Sequence, residues 1–187
     1  HVVATEEDGS SLLLVDRVFL DESAYNCLDD LERLGKPVHS PDKAYMMCAH
    51  LVPTRIGAEP DAETQRVFAA MQRHHERTGV HLISPNDPRQ GIHHVMGAEQ
   101  GLTLPGFIMA VTDSHTTTHG ALGALGLGLG YAEATHVLAT QCLWQPCYKQ
   151  MQVNVEGGLG AGVTAKDLAL HVVGTLGFDG ALGHIIE

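Results

Sequence analysis

Residues 107–120 read Phe-Ile-Met-Ala-Val-Thr-Asp-Ser-His-Thr-Thr-Thr-His-Gly. The first six of them, 107–112, are apolar or β-branched and predict a buried strand. Asp113, Ser114 and His115 follow directly, at a strand end, where α/β folds bind ligands. They offer an acceptor, a hydroxyl and a titratable ring, which indicates a functional site. The same stretch also fits an Asx-type turn, in which Asp113 and Thr116 cap the next helix.

Predicted strands and helices alternate along the rest of the chain, which favours a layered α/β architecture. Ser23 and Thr164 are predicted helix N-caps, and Gly79 is predicted to end a helix. A helix over the glycine-rich stretch 120–131 is costly, so a close backbone or ligand contact is expected there. The predicted strands are 11–20, 80–83, 107–112 and 151–155, with a short apolar stretch at 44–47, and the predicted helices are 23–34, 61–78, 133–140 and 164–176.

Composition argues against several classes of function. The formal net charge is −11, whereas non-specific nucleic-acid binding needs clustered Lys and Arg. No apolar run approaches the roughly 18 residues that span a bilayer. Four cysteines in 187 residues are too few for a disulfide scaffold. We therefore expect no nucleic-acid partner, no membrane partner and a reducing compartment, either the cytoplasm or an organellar matrix or stroma.

Several ordered strings carry a family resemblance, and they are similar to the large subunit of 3-isopropylmalate dehydratases, which are aconitase-type hydro-lyases. Homoaconitases and the dehydratases of related methyl-malates share most of them. The resemblance covers the chain from His1 to Glu187. The strings are Gly91-Ile92-His93-His94-Val95, Glu99-Gln100-Gly101-Leu102-Thr103-Leu104-Pro105-Gly106, Asp113-Ser114-His115-Thr116, Thr118-His119-Gly120-Ala121, His136-Val137-Leu138-Ala139-Thr140-Gln141 and Gly162-Val163-Thr164-Ala165-Lys166-Asp167, with the tail 183–187.

The resemblance implies a fold and a chemistry. The fold is a three-layer α/β/α aconitase-type domain with a central sheet over 1–187, with the edge of the next domain near 160–187, ending before the cluster-binding region. Aconitase-type enzymes move water across a double bond in a hydroxy acid, with a [4Fe–4S] cluster as Lewis acid. The implied function is dehydration or isomerisation of a hydroxy dicarboxylic acid such as isopropylmalate, in leucine biosynthesis. A homoaconitase-type or methylmalate-type dehydratase is the alternative.

The same strings imply roles for individual residues. Asp113 is implied to pair with His94, which fixes the imidazole tautomer and raises its basicity. The catalytic base is implied to lie in a separate swivelling domain. The implied catalytic residues are His50, His94, Asp113 and His115, and the implied substrate-binding residues are Ser114 and Thr116.

Three positions depart from the family strings. Ala49 stands where the family has Asp before His50, so His50 is expected to lack its orienting carboxylate. Val18 and Asp21 stand where the dehydratases usually have histidines. These changes leave open a non-catalytic relative that serves as a binding or assembly module.

The family's cluster cysteines lie beyond the matched region. Cys142 and Cys147 fall where the family has no cluster ligand, and we expect a structural or incidental role for them. No cluster is therefore expected on this chain alone, which should be inactive and prone to self-association. The expected partners are the remaining large-subunit domains, a swivelling small subunit in a heterodimer, and a small anionic hydroxy acid.

The chain contains 13 histidines, which leaves open a third function besides a hydro-lyase and a non-catalytic relative. A mononuclear metal site could use His93, His94, His115 and His119. Only His115 and His119 have the H-x-x-x-H spacing of a helical metal site, which is weak evidence.

Overall fold

Short apolar and amphipathic runs form ten strands and five α-helices in the residues that this computed structural model describes, 1–55 and 57–187. Short 3₁₀ helices span Pro41–Lys43 and Thr116–Leu122. The strands are β1 (Val2–Thr5), β2 (Ser11–Leu14), β3 (Arg17–Leu20), β4 (Ala44–Met47), β5 (His81–Ile83), β6 (Ile108–Val111), β7 (Leu125–Gly128), β8 (Cys142–Gln145), β9 (Lys149–Met151) and β10 (His184–Ile186). The helices are α1 (Asn26–Arg33), α2 (Ala62–Thr78), α3 (His93–Glu99), α4 (Tyr131–Thr140) and α5 (Ala165–Leu176).

The chain divides into two units. The first comprises His1–Thr5 and Ser11–Gln145, and the second comprises Glu6–Ser10 and Pro146–Glu187. The expected domain edge near 160–187 falls inside the second unit, which already takes up the chain from Pro146.

A five-stranded parallel sheet lies at the centre of the first unit, in the order β5-β4-β3-β6-β7. All four residues of β6 are buried, which confirms the buried strand predicted from the sequence. Continuous apolar runs are expected of such strands, because a parallel sheet is covered on both faces.

Helices cover both faces of this sheet, which confirms the α/β fold class. Val18 and Leu20 of β3 belong to a buried cluster that includes side chains of α1, α2 and α4. Phe19, between them, belongs to a second cluster with Met96 of α3. Successive side chains of a strand point to opposite faces, so the two clusters lie on opposite sides of one sheet.

The single strand predicted over 11–20 is wrong, because this stretch forms two strands in two sheets. β2 pairs antiparallel with β1 and β8, whereas β3 joins the parallel sheet. Asp16 lies at the break, where its N–H donates to the carbonyl of Ile108 at 2.9 Å and its Oδ2 accepts from the N–H of Ile108 at 2.8 Å. This contact holds the chain against β6 at the point where it changes sheets.

The predicted ends of α2 are confirmed and the predicted start of α1 is wrong. Asp61 caps α2 by accepting from the N–H of Thr64 at 2.8 Å, and Gly79 ends it with a left-handed φ of 77°. Ser23 does not cap α1, which begins at Asn26. The hydroxyl of Ser23 instead donates to Oδ1 of Asp21 at 2.6 Å.

The glycine-rich stretch 120–131 forms the end of a 3₁₀ helix, β7 and the start of α4. A side chain at Gly126 would collide with the carbonyl of Thr116. The expected close backbone contact is therefore present, and it is made by a strand and not by a glycine-rich helix.

The second unit contains α5 and a parallel pair, β9 and β10. The predicted N-cap at Thr164 is confirmed, because Asp167 accepts from its N–H at 2.8 Å and from its hydroxyl at 2.6 Å. The strand predicted over 151–155 is wrong, since only Met151 belongs to β9. Among the described residues, no helix combines the length and apolarity needed to cross a membrane.

Candidate active site

The carboxyl ends of three adjacent strands bring acidic and imidazole side chains to one edge of the parallel sheet. Asp21 follows β3, His50 lies three residues after β4, and Asp113 lies two residues after β6. In the sheet, β4 and β5 lie on one side of β3, whereas β6 and β7 lie on its other side. The direction in which successive strands are added therefore reverses between β3 and β6. Open α/β sheets bind ligands at such a switch point, outside the carboxyl ends of the strands.

A cavity of about 800 Å³ opens at this edge. Most of its walls come from the ends of β4 and β6 and from the start of α3. The lining residues are Ala49, His50, Ile92, His93, His94, Val95, Asp113, Ser114, His115, Thr117 and Thr118. Five of the six site residues predicted from the sequence line this cavity.

His94 and Asp113 form the central contact. Nε2 of His94 lies 2.8 Å from Oδ1 of Asp113, and both side chains are largely buried, at 12% and 10% exposure. The pairing of Asp113 with His94 that the sequence strings implied is therefore confirmed.

The pair continues into a buried chain of hydrogen bonds. Nδ1 of His94 lies 3.1 Å from Nε2 of His119, and Nδ1 of His119 lies 3.0 Å from the hydroxyl of Thr103. When a neutral His94 donates from Nε2 to Asp113, its Nδ1 accepts from Nε2–H of His119. Nδ1 of His119 then accepts a hydrogen bond from the hydroxyl of Thr103. Each of these four side chains therefore has a hydrogen-bond partner in the network. Burial lowers the pKa of His119 to about 4, which keeps this ring neutral at neutral pH.

Asp113 is held in its charged form. Burial by itself raises the pKa of this carboxyl, but hydrogen bonds outweigh it and lower the pKa to about 2. The N–H of His115 donates to Oδ1 at 2.6 Å, and His94 makes the second bond. A carboxylate is therefore present in the cavity over the whole physiological pH range.

His50 is surrounded by carboxylates, contrary to the expectation drawn from Ala49. Nδ1 of His50 lies 3.5 Å from Oε2 of Glu22 and 3.7 Å from Oδ2 of Asp21, and Nε2 lies 3.5 Å from Oδ2 of Asp113. Side chains from two other strand ends thus stand where a neighbouring Asp was expected. The ring is 54% exposed and faces the cavity.

Glu22 is the residue of this region that the sequence interpretation missed. Its buried carboxylate accepts from the N–H of His50 at 2.9 and 3.2 Å and from the N–H of Leu51 at 3.0 Å. Glu22 follows the end of β3 by two residues, so the rule that placed Asp113 at a strand end applies to it as well. The misplaced strand 11–20 and the predicted helix from Ser23 obscured that signal.

His93 lies beside this pair and is sealed from solvent at 1% exposure. Neither ring nitrogen has a hydrogen-bond partner among the described residues. Nε2 lies 3.9 Å from Oδ2 of Asp113, which is too long for a hydrogen bond. Burial, together with the neighbouring His94, lowers the pKa of His93 to about 4.

The remaining predicted residues divide between the cavity and the core. His115 is 80% exposed, and its Nδ1 lies 3.2 Å from the hydroxyl of Ser114. Thr116 does not line the cavity, because it is buried and its hydroxyl donates to the carbonyl of Asp113 at 2.6 Å. This position does not support the expected substrate-binding role of Thr116, which stays a prediction, whereas Thr117 and Thr118 line the cavity.

The cysteines of this chain do not form a cluster-binding set in the described residues. None of them lines the cavity. Burial raises the pKa of Cys27 to about 11 and that of Cys48 to about 12, whereas iron–sulfur clusters bind thiolates. The thiol of Cys27 donates to the carbonyl of Tyr131 at 3.4 Å, and that of Cys48 contacts Met71. A [4Fe–4S] cluster does not fit these residues.

Comparison with known protein families gives a match over the whole chain. The model of the Aconitase family (aconitate hydratase) matches residues 1–187. The observed central parallel sheet, with helices on both faces, agrees with that match. The chain therefore belongs to the Aconitase family, whose members are hydro-lyases that typically bind a [4Fe–4S] cluster.

Proposed function

We propose that this chain supplies the histidine–carboxylate part of a hydro-lyase active site that dehydrates or hydrates a small hydroxy dicarboxylic acid. The observation that carries the proposal is the 2.8 Å contact between His94 and Asp113 in the wall of the 800 Å³ cavity. Isopropylmalate is the substrate that the sequence strings favour, which would place the enzyme in leucine biosynthesis. A homoaconitase-type or methylmalate-type acid is the alternative.

The chemistry of this site suits proton exchange with a departing hydroxide. Both nitrogens of His94 are engaged, Nε2 with Asp113 and Nδ1 with His119, so His94 holds the carboxylate in place. A hydroxide leaving the substrate needs a proton, and the exposed ring of His50, whose Nε2 lies 3.5 Å from Oδ2 of Asp113, can deliver it in its imidazolium form. The Asp113 carboxylate stabilises the imidazolium and orients the ring. His119 and Thr103 hold the second nitrogen of His94, so its tautomer is defined from both sides.

Several groups at the cavity suit an anionic substrate in spite of the net charge of −11. The exposed rings of His50 and His115 become cationic when protonated, and the hydroxyls of Ser114, Thr117 and Thr118 are hydrogen-bond donors. These side chains can bind substrate carboxylates while Asp113, which is 10% exposed, stays behind them.

The cluster and the base of the reaction are assigned to other parts of the enzyme. The [4Fe–4S] cluster of family members supplies a Lewis acid for the substrate hydroxyl. We infer that cysteines outside these 187 residues hold it, in the rest of the large subunit. A swivelling small subunit supplies the base, so the active species is an assembly of the two.

The first test is the activity of variants in the assembled, cluster-loaded enzyme. We expect His50→Gln and Asp113→Asn each to lower kcat by about 10²–10⁴, the usual contribution of general acid–base catalysis. The assay follows the ultraviolet absorbance of the unsaturated acid. His136→Gln, on an exposed position of α4, serves as the matched control and should leave kcat unchanged. Wild-type kcat in both site variants would refute the proposal.

The second test uses these 187 residues without any partner. We expect no turnover of hydroxy acid, because the four cysteines do not converge on the cavity and no swivelling domain is supplied. Turnover by the purified 187-residue chain, at a rate above that of the Asp113→Asn variant, would contradict this assignment of parts.

A further inference from the structure

Three side chains at the back of the cavity converge in the manner of metal ligands. His93, His94 and Asp113 each offer one ligand atom, and the three atoms lie within 4.8 Å of one another. Two imidazoles and one carboxylate are a common ligand set for divalent transition metals in proteins. His93 and His94 begin α3 and Asp113 follows β6 by two residues, and both elements belong to the first unit.

His93 supplies an independent observation. Its ring is 1% exposed and lines the cavity, yet neither nitrogen has a hydrogen-bond partner among the described residues. Leaving a buried polar group without a partner costs about 1–3 kcal/mol. The 3.9 Å from its Nε2 to Oδ2 of Asp113 is too long for a hydrogen bond. Two metal–ligand bonds of about 2.0–2.2 Å span a gap of this size.

We propose that His93, His94 and Asp113 bind one divalent transition-metal cation of the Zn²⁺ class. Three protein ligands would leave a fourth coordination position open, and all three ligand residues line the cavity. The inference does not rest on the hydro-lyase activity, because it concerns binding of a cation by this chain without substrate, cluster or partner. Coordination through Nε2 of His94 would replace its 2.8 Å contact with Asp113, so the cation-bound state differs from the state proposed for catalysis.

The surroundings of His94 suit a metal ligand. Coordination through Nε2 places the proton of the neutral ring on Nδ1, which then donates to Nε2 of His119. His119 in turn donates from Nδ1 to the hydroxyl of Thr103, at the observed distances of 3.1 and 3.0 Å. Metal-binding histidines usually have such a partner on the second nitrogen, and its loss costs 10–100-fold in affinity.

A competing set of ligands shares Asp113. Asp21, His50 and Asp113 also bring one ligand atom each within 4.8 Å. His50 is 54% exposed, and the Asp21 carboxylate already accepts from the hydroxyl of Ser23 at 2.6 Å and from its N–H at 3.0 Å. Among the described residues, no buried nitrogen of this second set is without a partner, whereas both ring nitrogens of His93 are, so the buried set is favoured.

The test is a titration of chelator-stripped protein with Co²⁺, whose visible absorption reports its ligands. The background is the Cys142→Ser/Cys147→Ser double variant, which removes the two less buried thiols. We expect one Co²⁺ per chain with nitrogen and oxygen ligands, displaced by Zn²⁺. His93→Gln and Asp113→Asn should each weaken binding at least about 10-fold, and His119→Gln should weaken it 10–100-fold. The controls His50→Gln and His136→Gln should bind as the background does.

Folding and binding are measured separately. Circular dichroism checks each variant, and Zn²⁺ should raise the Tm of the background but not that of Asp113→Asn, whose side chain keeps its size. The proposal is overturned if Co²⁺ does not bind, if thiolate bands appear in the spectrum, or if His50→Gln abolishes binding while His93→Gln does not. A failed activity test leaves this result unaffected, because the titration uses neither substrate, cluster nor partner.

Discussion

At the scale of single residues, the carboxylates of Glu22 and Asp113 lie far apart in the sequence but close to the imidazoles of His50 and His94. Asp113 is bound by His94 and by the N–H of His115, and Glu22 is bound by the N–H groups of His50 and Leu51. The position of His50 in the cavity therefore depends on a residue 28 positions earlier. Asp113 could be predicted as a site residue from the strand end before it, whereas the contact between Glu22 and His50 depends on the pairing of β3 with β4.

Glu22→Ala tests this residue-scale dependence. We expect the free energy of unfolding to fall by about 1–3 kcal/mol, because two backbone N–H groups lose a charged acceptor. Glu22→Gln should cost less, since its amide oxygen still accepts. Urea denaturation gives both values. Glu99→Ala, at an exposed position at the end of α3, is the control and should stay within about 0.5 kcal/mol. Equal stability of Glu22→Ala and the control would disprove the role of Glu22.

At the scale of elements, α3 sets the position of both His93 and His94, and it packs closely on its neighbours. A Cβ at Gly97 would lie 2.7 Å from the hydroxyl oxygen of Thr103, 3.0 Å from the ring of Phe19 and 3.3 Å from that of His119. Glycine is unfavourable inside a helix, so its presence in α3 is explained by this contact and not by helix propensity.

Gly97→Ala should therefore destabilise the protein, although alanine is the better helix former. We expect a loss of about 1–3 kcal/mol from overpacking, with displacement of His119. Thermal and urea unfolding measure the loss. Gly120→Ala is the control in the same unit, since a Cβ there meets nothing within 4 Å, and it should change stability by less than about 0.5 kcal/mol. A stabilised Gly97→Ala variant would show that α3 has room to move.

At the scale of the whole molecule, buried neutral histidines make the fold sensitive to acid. Burial lowers the pKa of His74, and it lowers the pKa of His93 and His119 to about 4. In the unfolded chain these rings titrate near 6.5. The unfolded state thus binds more protons between about pH 6.5 and 4, so stability is fully present above pH 6.5 and declines as the pH falls through this window. The lowered pKa of Asp113 affects stability only below about pH 4, where protonation of this carboxylate in the unfolded chain lowers the free energy of unfolding further.

We expect the unfolding free energy to drop between pH 7.5 and pH 5, by at most about 2 kcal/mol for each of His93 and His119. Urea denaturation at the two pH values measures the drop. His93→Gln removes one of these groups, so its drop should be smaller, whereas His136→Gln should show the wild-type drop. A pH-independent stability in the wild type would mean that these rings are charged or solvated in the folded state.

The sequence by itself determined the α/β class and the buried strand before Asp113, because both depend on local hydrophobic periodicity. It also determined the ends of α2, which depend on capping residues, and the family, which depends on continuous sequence strings. Only the tertiary structure decided that residues 11–20 contribute strands to two sheets and that Asp21 and Glu22 lie beside His50. It also decided that Thr116 is buried in the core and that His93 is buried beside Asp113. The physical reason is strand order. β3 and β6 are adjacent in the sheet although about 90 residues separate them in the chain, and only this adjacency brings their carboxyl ends, and the side chains that follow, to one edge.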